Sequence, residues 1–405
     1  MTVSQYVLPD SKSPALALVQ PTDAEKIEQF KKNGLTWKGA LSLDAYLRRE
    51  EFLSQQAFTR DGGITYWVLV DSAAKDRVVL SGCETLRKKA LVARDGKVEE
   101  VVSHGVGSVF CPPEYRNRGY AARMMEELGR KLETWQTDQQ RCMFTVLYSD
   151  IGKTGLFTED EQEFYTARGW HPFPSSHVSV PATSKPEVHV GTLPQSRPLH
   201  AADLAELCAI DEGLIRERMT RSSSDGRWTA ALIPDVDVIQ WHHAREEFVA
   251  KELYGRTPVV KGAIVDNKPG HRVWCYWTRM WYNDDPQENK DNTLHILRLV
   301  SEGESLSEGH PPDANHQTNG HSSIAPAIAS LLAAAQQEAS QWTMGDVEIW
   351  NPTCVTIEAA QHLDPAAEVT HRDKESIASL RWYGENPDRP AEHVNWIGNE
   401  KYGWC

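Results

Sequence analysis

Arg116, Gly119 and Ala121, in the spacing R-x-x-G-x-A, are the residues of this chain whose types and spacing point most directly to chemistry. They lie in Val106–Ala122, VGSVFCPPEYRNRGYAA, behind an apolar run over Val101–Phe110. Pro112-Pro113 ends that strand, because a proline has no N–H to give to a sheet ladder. A helical pattern then starts at once and runs to about Trp135, with Ala121, Met124, Met125, Leu128 and Leu132 on one stripe. A glycine and a small residue at a helix start let phosphate oxygens approach backbone N–H groups, where the macrodipole favours an anion. The expected chemistry is the holding of a pyrophosphate, with Arg116, Asn117, Arg118, Gly119, Tyr120 and Ala121 as its cradle. The dinucleotide fingerprint G-x-G-x-x-G and the Walker Lys-Ser/Thr pattern are both absent.

The elements that position this turn follow from alternation and turn residues. Ala15–Val19 reads as a strand, Asp23–Asn33 and Leu43–Ala57 as helices, and Tyr66–Val70, Val78–Leu86 and Lys97–Phe110 as strands. Polar turns such as Arg60–Gly63 and Arg94–Gly96 separate them. After the long helix come a strand at Met143–Tyr148, the segment Ser149–Lys153, Phe164–Trp170 and a strand at Ser176–Val180. The order β-α-α-β-β-β-α-β-α-β makes a mixed sheet flanked by helices.

The turn matches the [QR]-x-x-G-x-[GA] pattern of the GNAT N-acetyltransferases, and the element order resembles theirs. The strings GVGSVFCPPEYRNRGYAARMMEELG, VLYSDIG and FYTARGWHPF resemble one branch in particular, the fungal lysine N6-acetyltransferases, and the likeness runs to the closing GNEKYGWC. The resemblance implies an α/β GNAT domain over 1–180, a linker at 181–196 and a second, degenerate GNAT-like domain over 197–405. Residues 301–323, SEGESLSEGHPPDANHQTNGHSS, are polar and aperiodic and are expected as a mobile loop. The resemblance further implies acetyl-CoA as acyl donor and, as activity, acetylation of L-lysine at N6 in lysine catabolism. Another small amine, a protein lysine, or a non-catalytic acetyl-CoA-binding module are the alternatives. One departure stands out: Thr154–Glu163, TGLFTEDEQE, intervenes between SDIGK and the FY pair, as a lid or as misread intron sequence.

Transfer to an amine poses two chemical problems. An ammonium of ordinary pKa about 10.4 must lose a proton, and the thioester needs a partner for its oxyanion and a proton for its thiolate. Tyr165 stands where the resemblance puts the acid that meets the thiolate. The amides of Val109 and Phe110, where the strand is expected to splay, are candidates for the carbonyl, and Ser149 is a further candidate for cofactor binding. Three groups remain open as base: His104 on the strand leading to the turn, Glu84 on its neighbour, and the terminal carboxylate of Cys405. The last is suggested by N-myristoyltransferases, which resemble two fused GNAT folds.

Composition constrains the partners. A formal charge of −14 disfavours nucleic acid and acidic membranes and suits a small cationic amine such as free lysine. No apolar run approaches the roughly 18 residues of a membrane span. Seven scattered cysteines without a CxxC pair suggest a reducing, cytoplasmic setting and no zinc site. The tract His310, His316, His321 lacks the spacing of a metal centre, so no metal is expected. Asp266, Arg272, Arg298, Glu348 and Arg381 are unranked candidates for holding the substrate's charged ends, and Trp274, Tyr276, Trp277 and Trp281 for its methylene chain or for sheet packing.

Overall fold

A computed structural model describes residues 7–74, 77–149, 161–184, 193–221, 226–266, 268–303 and 323–404, with the backbone alone at 161–163. The inserted stretch up to residue 160, part of the expected linker (185–192), most of the expected loop (304–322) and Cys405 lie outside the described residues.

The first half contains β1 (Leu16–Val19), α1 (Asp23–Trp37), α2 (Leu43–Ser54), β2 (Ile64–Asp71), β3 (Val79–Arg94), β4 (Lys97–Phe110), α3 (Tyr120–Leu132), β5 (Cys142–Ser149), α4 (Glu161–Thr166), β6 (His171–Pro172) and β7 (Ser176–Pro181). The second half contains β8 (Arg197–Leu199), α5 (Leu204–Arg221), β9 (Trp228–Leu232), α6 (Val236–Tyr254), β10 (Gly262–Val265), β11 (Val273–Met280), β12 (Thr293–Ser301), α7 (Ala325–Gln341), β13 (Asp346–Trp350), α8 (Cys354–Leu363), β14 (Val369–His371), β15 (Ile377–Trp382), α9 (Pro390–His393) and β16 (Val394–Trp396).

Local chemistry sets the helix starts. Thr22 caps α1 in a reciprocal box with Glu25, Ser42 accepts from the Ala45 N–H at the start of α2, and Asp235 accepts from the Val238 N–H at the start of α6. Tyr120, Met124, Met125, Leu128 and Leu132 of α3 are buried against Leu16, Trp67, Leu69, Leu80 and Val106 on one face of the sheet. Each such side chain contributes about 1.5–3 kcal/mol on burial. Helices α1 and α2 cover the other face: the Phe30 ring meets Tyr66 edge-on at 5.3 Å, and Leu53 of α2 packs with Leu86 of β3. Helix α6, from the second half, joins them there through Trp241 and Ala244.

The strands form two mixed sheets. The first has nine strands, in the order β1-β2-β3-β4-β5-β15-β6, with β9 on β3 and β16 on β9. The second has seven, in the order β14-β7-β13-β12-β11-β10-β8. Each sheet has a parallel pair at its centre, β4 with β5 and β12 with β13, and the first has a second one where β16 joins β9. The strand beside each central pair comes from the other half of the chain. β15 lies antiparallel to β5, Ile377 opposite Ser149 through Trp382 opposite Phe144. β7 lies antiparallel to β13, Pro181 opposite Asp346 through His177 opposite Trp350. The chain thus has the expected pair of helix-flanked mixed sheets, but β7, the last strand of the expected first domain, belongs to the second sheet, and β15 of the expected second domain completes the first.

Candidate active site

The glycine turn is built for anions. Behind β4, Pro113–Tyr115 makes a single 3₁₀ turn, and Asn117 and Gly119 then take left-handed backbone at φ +59° and +80°. Asn117, Arg118 and Gly119 are exposed. Gly119 is the N-cap of α3, no side chain among the described residues caps that helix, and no acid stands in its first turn. Its leading N–H groups therefore stand at the positive end of the dipole without a side-chain acceptor among the described residues. A Cβ on Gly119 would lie 2.8 Å from the Ser11 hydroxyl, so the position needs glycine both for its backbone and for its space. These features fit a pyrophosphate held by backbone amides. The Arg116 Nε donates to the Cys111 carbonyl at 3.0 Å, which folds its side chain back to brace the turn. Tyr120 is buried with its hydroxyl donating to the Pro9 carbonyl at 2.5 Å, so only its main chain can face a ligand.

Ahead of this turn, β4 carries a bulge. Gly82 opposes Phe110 and Glu84 opposes Gly107, so three steps on β4 span two on β3. The extra residue is accommodated at Ser108, which sits at φ +51°, a costly conformation for a residue with a Cβ. The ladder to β5 stops at Val106–Leu147, and the strands part beyond it. Between Gly107 and Phe110 the register on β3 skips Ser108 and Val109, whereas Phe110, suggested together with Val109 from the sequence, stays opposite Gly82.

The bulge also aims the Ser108 hydroxyl at Glu84, donating to Oε1 at 2.8 Å. Glu84 lines a narrow recess together with Gln29, Asn33, Tyr66 and Ser108. Burial, reinforced by the negative charge of Glu50, raises the Glu84 carboxyl to about 7, and the Ser108 hydrogen bond and Arg49 hold it from rising further. Gln29, on α1, gives its Nε2 hydrogen to Asn33 at 3.2 Å, while its buried Oε1 has no partner among the described residues. An acceptor and a near-neutral carboxyl thus share one recess, an arrangement suited to receiving and deprotonating a cation.

Beside the recess, α2 and α6 add charge. Arg49 Nη2 meets Glu50 Oε1 at 2.7 Å, and its guanidinium lies 4.6 Å from the Tyr46 ring centre. Arg245 of α6 lies 5.8 Å from the Trp404 ring. Sequence reasoning missed Gln29, Arg49, Glu50, Ser108 and Arg245. Charged residues on amphipathic helices read as solvated surface, and only the packing of α1, α2 and α6 onto one sheet face turns these inward.

The other expected residues sit as follows. His104 is a correction: it is wholly buried, with Nε2 at 3.2 Å from Gln136 Oε1 and Nδ1 at 4.0 Å from Cys142 Sγ. Burial lowers it to about 4, so it is neutral and sealed inside the sheet rather than placed to relay a proton. Tyr165 is half-buried in α4, edge-on to Phe164 at 5.1 Å, and packs on the apolar cluster that also takes Val109 and Leu147. Ser149 is buried at the end of β5 opposite Ile377. The charged candidates of the second half are engaged elsewhere: Asp266 with Arg197, Arg272 with Glu302, Arg298 with Asp211 and Glu400, Glu348 with His295 and Trp350, and Arg381 with the Arg168 carbonyl. Trp274 and Tyr276 are core residues between the sheets, and Trp277 and Trp281 pack under α7, so the aromatic group is sheet packing. Among the described residues no group of His, Cys, Asp or Glu is placed to hold a metal, and no helix is long and apolar enough to cross a membrane.

A family model described as the LYC1 GNAT-like C-terminal domain matches residues 177–405. A lysine acetyltransferase of Yarrowia lipolytica is 26% identical over 298 residues, covering 66% of this chain and 73% of that protein. The uncharacterized protein YGR111W of Saccharomyces cerevisiae is 22% identical over 419 residues, covering 92% of this chain and 93% of that one. Among solved structures, a GCN5-related N-acetyltransferase from Anabaena variabilis is 14% identical, with a TM-score of 0.49 over 91% of this chain and 72% of its own.

Proposed function

Since the chain belongs to the LYC1-type GNAT family and is an N-acetyltransferase, we propose that it transfers the acetyl group of acetyl-CoA to the ε-amine of free L-lysine. Acetyl-CoA supplies the activated thioester, its pyrophosphate against the N–H groups at Gly119–Ala121 and the exposed Arg118. Glu84 receives the proton of the incoming ammonium; a carboxylate near 7 is a better base than an ordinary one and is ionised at neutral pH about half the time or more. Gln29 Oε1 accepts a hydrogen bond from the same nitrogen and orients it. The bulge amides around Val109 and Phe110 stabilise the developing oxyanion. Tyr165 returns a proton to the departing thiolate. The observation that carries this reading is Glu84 beneath the β4 bulge, hydrogen-bonded to Ser108 and facing a recess with an unclaimed acceptor.

The test is thiol release from acetyl-CoA with lysine, ornithine, spermidine and a lysine-bearing peptide as acceptors. Release with free lysine, and mass spectrometry placing the acetyl group on the ε-nitrogen, is the expected result. Release only with the peptide or the polyamine would overturn the lysine assignment. No release with any of them, with acetyl-CoA still bound, would overturn the catalytic reading.

A further inference from the structure

The recess around Glu84 accounts for one end of an amine substrate and leaves a guanidinium on the adjoining face without a task. Arg245 lies on the α6 turn that also presents Trp241 and Ala244 to Leu86 of β3, two residues from Glu84 on the same strand face. Its side chain is half-buried, and among the described residues it has no ion pair and no hydrogen bond, only the Trp404 ring at 5.8 Å. The other buried or half-buried arginines near the second sheet show the contrast: Arg279 and Arg298 each hold two carboxylates. A guanidinium taken out of water with no carboxylate bonded to it, as Arg245 is among the described residues, is costly, and such sites persist where a ligand supplies the counter-charge.

The surroundings narrow the ligand. Glu50 and Arg49 of α2 and the hydroxyls of Tyr46 and Tyr282 are the charged and titratable groups that act on Arg245. Burial and the neighbouring Arg49 lower it to about 10, so an anion placed beside it would relieve both effects. Glu50 offers one carboxylate in this neighbourhood, already shared with Arg49. Arg245 and the charged groups that act on it therefore comprise two guanidiniums and one carboxylate, complementary to a carboxylate with an adjacent ammonium. Glu84 and Gln29, in the neighbouring recess, are complementary to a second ammonium.

We propose that Arg245 binds the α-carboxylate of a free diamino acid acceptor, with Glu50 taking its α-ammonium, so that α2 and α6 select a free amino acid over simple amines and peptide-borne lysine. The inference deepens the lysine reading and rests on it. Recognition depends on both halves of the chain, since α2 comes from one and α6 from the other.

The experiment compares wild type with Arg245→Gln, and with Arg245→Lys as the conservative control, in two independent readouts. In turnover, kcat/KM for L-lysine relative to cadaverine, which lacks the carboxylate, should fall about 10- to 100-fold in Arg245→Gln, as for loss of a charged hydrogen bond. Arg245→Lys should recover part of that preference. In binding, L-norleucine, which has the amino-acid head and no side-chain amine, should give calorimetric heat with wild type and lose it with Arg245→Gln. Norleucine binding stands whether or not lysine is acetylated, so failure of the lysine reading is distinguished from failure of the clamp. An unchanged lysine-to-cadaverine ratio, or norleucine binding that is absent from wild type or retained by a folded Arg245→Gln, would overturn the proposal.

Discussion

The two sheets open in the same way and put the opening to different use. In the first, β4 and β5 separate after Val106 and Leu147, and the gap leads to the bulge at Ser108 and the exposed glycine turn. In the second, β12 and β13 separate after Ile296 and Ile349, and there the chain's own later residues fill the gap. The Leu299 N–H donates to Glu400 Oε2 at 3.0 Å, and Arg298 grips Glu400 and Asp211. Lys401 is buried, its Nζ 4.3 Å from the Trp350 ring. The helix starts differ as well. α3 begins at a left-handed glycine with exposed amides, whereas α7 begins with Pro326 in its first turn and with Ala325 and Ala327 buried. A proline there removes one donor, and burial hides its neighbours. A splayed parallel pair becomes a ligand cleft only when nothing plugs it and when amides stand ready at its mouth.

The largest expected effect comes from the unplugged side. Glu84→Gln should lower kcat by about 10²- to 10⁴-fold, the usual worth of a general base. In wild type kcat/KM should climb as pH rises through about 7, since only the ionised Glu84 accepts a proton; the groups facing it are Glu50, Arg49, Tyr46, Tyr66 and Ser108. The variant should lose that climb. If it keeps both rate and profile, the base lies elsewhere. Stability runs the opposite way: a raised carboxyl contributes stability below its unfolded value, which is lost as pH rises through about 7. Thermal unfolding should accordingly favour Glu84→Gln over wild type more at pH 8 than at pH 5.

Next in size is the turn. Gly119→Val forces a branched side chain into left-handed backbone and against Ser11, and should raise the acetyl-CoA KM about tenfold or more. The counterpart change at the plugged side, Pro326→Ala, should leave that KM where it is. A rise with Pro326→Ala would mean that the second cleft also takes acetyl-CoA.

Glu400→Ala probes the plug itself. It leaves Arg298 with Asp211 alone and strips the Leu299 amide of its acceptor, so chemical denaturation should show a loss of about 1.5–3 kcal/mol. The smallest effect is that of Ser108→Ala, which removes the hydrogen bond favouring ionised Glu84 and should move the pH midpoint of kcat/KM upward. No movement would separate Glu84 from the observed titration.

Much of the first sheet was legible because its signals are local. The Pro112-Pro113 stop, the R-x-x-G-x-A spacing and the apolar stripe of α3 each occupy a few successive residues, and β2 and β5 read as short, nearly continuous apolar runs. Glu84 was legible as a candidate because its strand neighbours the turn. What singles it out over His104 is the solvent each meets: a recess in one case, a sealed sheet interior in the other. β9, β14 and β16 escaped notice because runs of three to five residues carry too little alternation. The exchange of β7 and β15 left no local trace, since Ile377 meets Ser149 across more than half the chain. Arg245 belongs to the same class, a helix residue whose inward turn is decided by a strand far away in sequence.

The exchange of strands has a consequence for how this molecule is made. On a ribosome, β1 to β5 emerge early, yet the edge of β5 stays open until β15 has been synthesised, and the edge of β3 until β9 has followed α5. At about 5–20 residues per second, the interval between Ser149 and Ile377 lasts on the order of ten seconds or more. Throughout it the nascent chain exposes a hydrophobic strand edge of the kind that pairs with other chains. Slower translation, or a shortage of chaperones that shield such edges, should therefore lower the yield of folded protein well before any residue of the cleft is altered.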